Sequence, residues 1–291
     1  TIDRIDYAND TATASPKGSL NPGVRRTAGF SAREHGLPNS PVPKIPKSAI
    51  PALFGNPVGP AHGYFAGGHG YSGDVSLVQR IDFANDTATA SNKGNLPNWI
   101  KNAAGGSNST HGYSFGGAYT GSSAISSTYR VDYANDTAAA TATGNLSQTA
   151  SLAACVGTSN TGYIGGVNNS APSPYFSRID RFDYSSDTST SIADNIFDPG
   201  SFGTTATGNL THGYFAGGQD ITPSPTPGGL SVVRRLDYSN DTATTSPKGP
   251  LSSGHVYNGA TGNLNFGYIN ILDYYLSLIH ISEPTRLRHS S

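Results

Sequence analysis

Apolar and polar residues alternate in short runs along this chain, separated by Gly-, Asn- and Asp-rich breaks, and no segment carries a helical period. The stretch from Thr204 to Gly249 shows the pattern best. It predicts a short strand over 204–207, a Gly208-Asn209 turn, and a second strand over 212–216 that stops at Gly217-Gly218. A variable loop follows, then a third strand over 231–238. Ser239-Asn240-Asp241 reads as a tight turn, because Asx side chains bond the backbone ahead of them. A fourth strand is expected over 242–246, left through Pro247-Lys248-Gly249. Within the third strand, a period of two puts Arg235 and Asp237 on one face and Leu236 and Tyr238 on the other.

The same unit recurs. The phrase Arg, apolar, Asp, aromatic begins at Arg4, Arg80, Arg130, Arg181 and Arg235, at intervals of 76, 50, 51 and 54 residues. Its acids are Asp6, Asp82, Asp132, Asp183 and Asp237. A second phrase, Gly-Tyr, has tyrosines 64, 113, 163, 214 and 268, spaced 49, 50, 51 and 54 apart. In four copies it runs into a glycine pair: Gly67-Gly68, Gly116-Gly117, Gly165-Gly166 and Gly217-Gly218. Two independent phrases sharing one period identify a tandem repeat, about five copies of an all-β unit. A four-stranded unit of this size cannot cover both its faces, so neighbours must stack on it. The repeated Arg and Asp are expected to brace that interface, since an unpaired buried charge is costly.

Four strands per repeat and Gly-Gly after an aromatic strand resemble the kelch repeat. The resemblance covers about residues 1–275 and implies a β-propeller of four-stranded blades, with a β-solenoid as the competing fold. Two features depart from the family. Asp precedes the aromatic instead of following it, and the usual later Trp gives way to Thr-Ala-Thr. The phrase Asp-Tyr-Ser/Ala-Asn-Asp-Thr-Ala-Thr also resembles tandem-repeat proteins of aquatic viruses and phages. The first interval is long because of a Pro-rich insertion at about residues 35–60. Residues 276–291 leave the pattern and resemble a translated transposase sequencing adapter, which implies a non-native tail, with a natural, atypical terminal strand as the alternative. The absence of Met and a start inside a repeat point to a metagenomic fragment.

Composition narrows the function. A net charge of −1 with 13% charged residues supplies no basic face for nucleic acid. No apolar run approaches the roughly 18 residues of a membrane span. One cysteine, Cys155, forms no internal disulfide. Nucleophile-elbow, phosphate-loop and zinc-protease motifs are missing, so no catalytic residue is assigned. His62, His111 and His212 precede Gly-Tyr in three copies, and a turn or strand-edge role accounts for them better than metal. No metal and no cofactor is expected. Asn9, Asn85, Asn135 and Asn240 match a glycosylation pattern, but their recurrence fits turn chemistry.

The loops after Gly-Gly, at 69–79, 118–129, 167–180 and 219–234, vary most and are expected on one rim. Their aromatics, Tyr71, Tyr119, Tyr129, Tyr175 and Phe176, sit among Ser and Asn or Asp, a mixture that suits sugar rings. The expectation is a non-enzymatic module outside a cell or on a virion, binding glycan or protein through that rim. A self-assembling structural subunit and a carbohydrate-active propeller enzyme are the alternatives.

Overall fold

The computed structural model describes residues 3–4, 15–17, 19–20, 24–31, 62–85, 87–119, 124–166, 178–193, 201–220, 229–257, 259–262 and 267–269. The Pro-rich insertion, the tail from 276, Asp6, Tyr175 and Phe176 lie outside the described residues.

Four antiparallel sheets of four strands follow one another along the chain. The first blade comprises Ala28–Ser31, His62–Ala66, Leu77–Asp82 and Ser91–Asn95. The second comprises Ala104–Ser107, His111–Phe115, Thr128–Asp132 and Thr141–Ala142. The third comprises Ala154–Gly157, Thr161–Gly165, Ile179–Asp183 and Thr188–Ala193. The fourth comprises Thr205–Gly208, His212–Ala216, Val233–Asp237 and Ser246–Lys248. Two strand pairs, Asp3–Arg4 with Ser15–Pro16 and Ala260–Gly262 with Gly267–Ile269, lie before and after these in sequence.

The innermost strands of all four blades, with Ala260–Gly262, surround a cavity of about 280 Å³. Small residues make this approach possible. A Cβ on Gly105 would lie 2.1 Å from the Gly29 carbonyl oxygen of the preceding blade. Blades arranged radially about such a cavity are a β-propeller. Cys155 lines the cavity, and burial pushes its thiol up to about 12.

The repeated residues lock each blade to the next. The Tyr64 hydroxyl donates to Asp136 Oδ2 over 3.0 Å, and Arg80 Nη1 reaches the same oxygen at 2.7 Å. Tyr113 and Arg130 converge in the same way on Asp187, and Tyr163 and Arg181 on Asp241. The Gly-Tyr ring also stacks on the Asp-Tyr ring of the following blade. Tyr64 lies 4.9 Å from Tyr133, Tyr113 lies 4.8 Å from Tyr184, and Tyr163 lies 5.2 Å from Tyr238. Such a stack contributes roughly 0.5–1.5 kcal/mol beyond its buried area. Between the rings and the ion pair, each joint combines an apolar layer with a satisfied carboxylate.

The brace therefore exists, but its acid is not the one within the Arg-x-Asp strand. Asp82, Asp132, Asp183 and Asp237 each accept a hydrogen bond from the backbone N–H two residues ahead. They cap the turn that leaves their own strand, and the acid that ends this turn crosses to the preceding blade. The turn itself is a short 3-10 segment, Tyr133–Asn135 in the second blade and Tyr238–Asn240 in the fourth. Arg235 holds the same register opposite Tyr214 as Arg130 does opposite Tyr113. Arg4 is placed in a strand, but its side chain lies outside the described residues.

The Gly-Gly pairs close the second strand of each blade in a conformation that disfavours side chains. Gly67 and Gly68 have φ of 64° and 117°, and Gly116 and Gly117 have 60° and 105°. A Cβ on Gly116 would stand 2.3 Å from the Ala150 oxygen in the connection to the next blade. Gly217 and Gly218 repeat this geometry. In the third blade the phrase is one residue shorter. Gly165 pairs as the last strand residue, and Gly166, with φ of 67°, makes the turn.

Candidate functional site

The Gly-Gly turns and the connections between blades share one rim, and the backbone shows why. The Gly68 N–H donates to the Ile100 carbonyl, Gly117 to Ala150, and Gly218 to His255. Three connections are thus pinned at one equivalent residue. Two residues further on, Asn102, Leu152 and Tyr257 adopt positive φ, as do Arg26 and Gly203, all between 57° and 66°. Asn102 donates its N–H to the Arg26 carbonyl, Leu152 to Asn102, Gly203 to Leu152, and Tyr257 to Gly203. Four of the five residues carry side chains in a conformation that costs them roughly 1–3 kcal/mol each. The hydrogen-bonded chain from blade to blade holds them there.

These shared anchors make the first connection, residues 96–103, comparable with its counterparts. Leu96 and Ile100 are buried, and Asn102 takes the left-handed position. Pro97, Asn98 and Trp99 between the two anchors face outward, and Trp99 is 64% exposed. Asn98 Nδ2 donates to the Tyr129 hydroxyl over 3.0 Å and lies 3.4 Å from the Tyr119 hydroxyl. Pro97, Asn98, Trp99 and Tyr119 line an open cleft of about 390 Å³. In the second connection, Ser147 stands where Pro97 does and is tied through its amide and hydroxyl to Asp180. The positions before the pinned carbonyl are Trp99, Thr149 and Gly254, so among these three described connections the first alone presents an aromatic there.

Burial, then the neighbouring Tyr129 hydroxyl, hold the Tyr119 phenol above its usual range, so the cleft carries no charge at neutral pH. The charges beside it are committed to one another. Asp74, buried, accepts from Lys101 Nζ at 3.1 Å and lies 2.5 Å from His69 Nδ1. This cluster fixes the base of a hairpin formed by His69–Gly70 and Gly73–Asp74, with Tyr71 fully exposed at its tip.

Of the expected ligand-binding aromatics, the structure therefore brings Tyr119 into the cleft and places Tyr71 on the same rim. Tyr129 belongs to the core instead. It is the second residue of a strand, only 4% exposed and packed between the first and second blades. Strand pairing continues further toward the rim than the variable loop suggests, and this turns Tyr129 inward. Its hydroxyl still positions Asn98. Trp99 was not among the expected residues, although its being the single tryptophan of the chain was visible.

The histidines do not converge. His111 and His212 begin their strands, each with Nδ1 2.8 Å from the hydroxyl of the preceding Thr. Burial, then Arg130, lowers the pKa of His111. Among the described residues no three His, Cys, Asp or Glu side chains group to hold a metal ion. Asn85 and Asn135 each accept from the Thr hydroxyl two residues on, within their turns. No described helix is long and apolar enough to cross a membrane.

No protein family matches the sequence, and no curated protein matches it either. Solved structures do match the fold. One, described as "Structure of YjhT", superposes with a TM-score of 0.58 at 12% identity, covering 69% of this chain and 71% of that one. At that identity the similarity concerns architecture, and it places this chain among proteins with a propeller-like arrangement of four-stranded sheets.

Proposed function

We propose that this chain is a recognition module that binds a glycan or protein ligand through the rim carrying the Gly-Gly turns, displayed outside a cell or on a virion. The observation that carries the reading is Trp99, an exposed aromatic standing outward from a connection that is pinned at both ends. Exposed aromatics on a rigid scaffold are what binding surfaces are commonly made of. The kelch-like phrasing of the repeat supports the same reading, because in the first three blades its tyrosines and arginines are absorbed by the joints, and its aspartates and glycines serve turns. Catalysis would need further singular groups beside the cleft, and the titratable ones there are paired with one another.

The test compares two double variants on a combined glycan and protein array. Tyr71→Ser with Trp99→Ser alters this rim, and Phe83→Ser with Leu210→Ser alters exposed apolar residues of the opposite rim. Loss of array binding in the first variant alone supports the reading. Turnover of an oligosaccharide library by the unaltered protein would replace it with an enzyme. Concentration-dependent assembly without array binding would replace it with a self-associating structural subunit.

A further inference from the structure

We infer that the cleft between the first and second blades is a subsite for an uncharged pyranose ring, which stacks on the Trp99 indole and hydrogen-bonds to Asn98 and Tyr119. This rests on the recognition reading and gives it a ligand class and an address. Three observations carry it together.

The first is chemical. All four lining residues, Pro97, Asn98, Trp99 and Tyr119, are uncharged, and Tyr119 keeps its proton at neutral pH. The adjacent Lys101 and His69 both face Asp74, so neither is left to attract an anion. A carboxylated or phosphorylated ligand would lose water here without gaining a counter-charge. A neutral sugar presents a C–H face for the indole and hydroxyl edges for amide and phenol, which is what this lining offers.

The second is preorganisation. Asn98 makes both of its tyrosine contacts through Nδ2, so Oδ1 is left to accept from a ligand hydroxyl. Pro97 restricts the backbone on one side of Asn98, and the pinned Ile100 fixes it on the other. Little backbone ordering remains to be done on binding, which favours affinity in a shallow site.

The third is singularity. The corresponding residues of the second connection are Ser147, Gln148 and Thr149, and there Asp180 ties Ser147 down. Where Asp180 stands in the third blade, the second blade has Tyr129, which holds Asn98 with an uncharged hydroxyl. The two differences occur together: Tyr129 in place of Asp180 removes a charge beside the connection, and Trp99 in place of Thr149 adds exposed aromatic surface.

Cellohexaose, mannohexaose, maltohexaose and chitohexaose serve as neutral probes, with hexagalacturonic acid as the charged control. Binding is followed by calorimetry, and for the unaltered protein also by the emission of Trp99, its sole tryptophan. At least one neutral probe is expected to saturate a blue-shifted emission, with the acid at least tenfold weaker. Trp99→Ala is expected to reduce calorimetric affinity at least tenfold at unchanged melting temperature, and Asn98→Ala about threefold to tenfold. Saccharide binding that survives Trp99→Ala would overturn this address and leave the recognition reading standing. Protein capture through the rim with no saccharide binding would overturn the ligand class alone. Silence from both saccharides and proteins would remove the recognition reading together with this inference.

Discussion

The joint between blades and the connection above it meet in the same few residues, yet they are built on opposite rules. At the joint, one arrangement is repeated three times: a tyrosine and an arginine on one carboxylate, and two stacked tyrosine rings. At the connection, only the anchors repeat, namely a pinned carbonyl and a left-handed residue, while the side chains just ahead of them differ among the three pinned connections. Repetition marks what holds the ring of blades together. Variation between fixed anchors marks where the fold leaves room for recognition.

The largest expected effect comes from alkaline pH, which attacks every joint at once. Burial and Asp136 push Tyr64 up to about 12, and Tyr113, Tyr163 and their stacked partners Tyr133, Tyr184 and Tyr238 are raised further, chiefly by burial. A phenol whose folded pKa exceeds its unfolded value of about 10 contributes its full stability below pH 10 and loses it as pH rises through the folded value. Cooperative unfolding is therefore expected above pH 10, with phenolate absorbance at 295 nm rising together with loss of the strand signal in circular dichroism. Phenolate absorbance that completes before unfolding would show that the joints are open to water.

A single joint is broken by Asp136→Ala. The carboxylate is 8% exposed and serves Tyr64, Arg80 and, at 3.6 Å, Lys93. Its removal deprives a buried phenol and a half-buried guanidinium of their shared carboxylate, a loss of about 3 kcal/mol. For a domain of this size that lowers the melting temperature by roughly 6–12 °C.

Gly116→Ala should cost about 2 kcal/mol, because it combines a left-handed backbone with a Cβ driven against Ala150. Gly249→Ala, with nothing within 4 Å, should change stability by less than about 0.5 kcal/mol. Equal melting temperatures for the two would refute the role of the turn. The smallest effect is that of Trp99→Ala on stability, expected within about 0.5 kcal/mol. A larger loss would move Trp99 from the variable side of the comparison to the architectural one.

Much of the architecture was readable from periodicity. The second strand of the fourth blade, His212–Ala216, falls where alternation put it, and the third strand, Val233–Asp237, lies inside its expected span. The fourth strand begins later, at Ser246, because the 3-10 turn and the Thr-Ala segment after it come first. In earlier copies this segment gives its amide to a neighbour, as Ala140 does to the Asn95 carbonyl. A pattern read within one repeat cannot reveal a bond made to another. The same blindness hid the identity of the bracing acid. Within the sequence phrase Asp132 looks like the partner of Arg130, but its geometry suits its own turn, and Asp187 of the next copy meets the arginine. The candidate site was half legible. Tyr119 and Tyr71 stood out as rim aromatics, whereas Trp99 belongs to a connection that a search for repeats treats as spacing.

Because every joint takes its tyrosine and arginine from one copy and its aspartate from the next, the unit that is inherited and the unit that packs are out of phase. A crossover between two copies at matching positions yields a hybrid repeat that still offers the same donors forward and the same acceptor backward. Gain or loss of a whole copy therefore regenerates the joint without any compensating substitution. The length of such an array is free to drift by recombination, while its individual connections diversify one residue at a time.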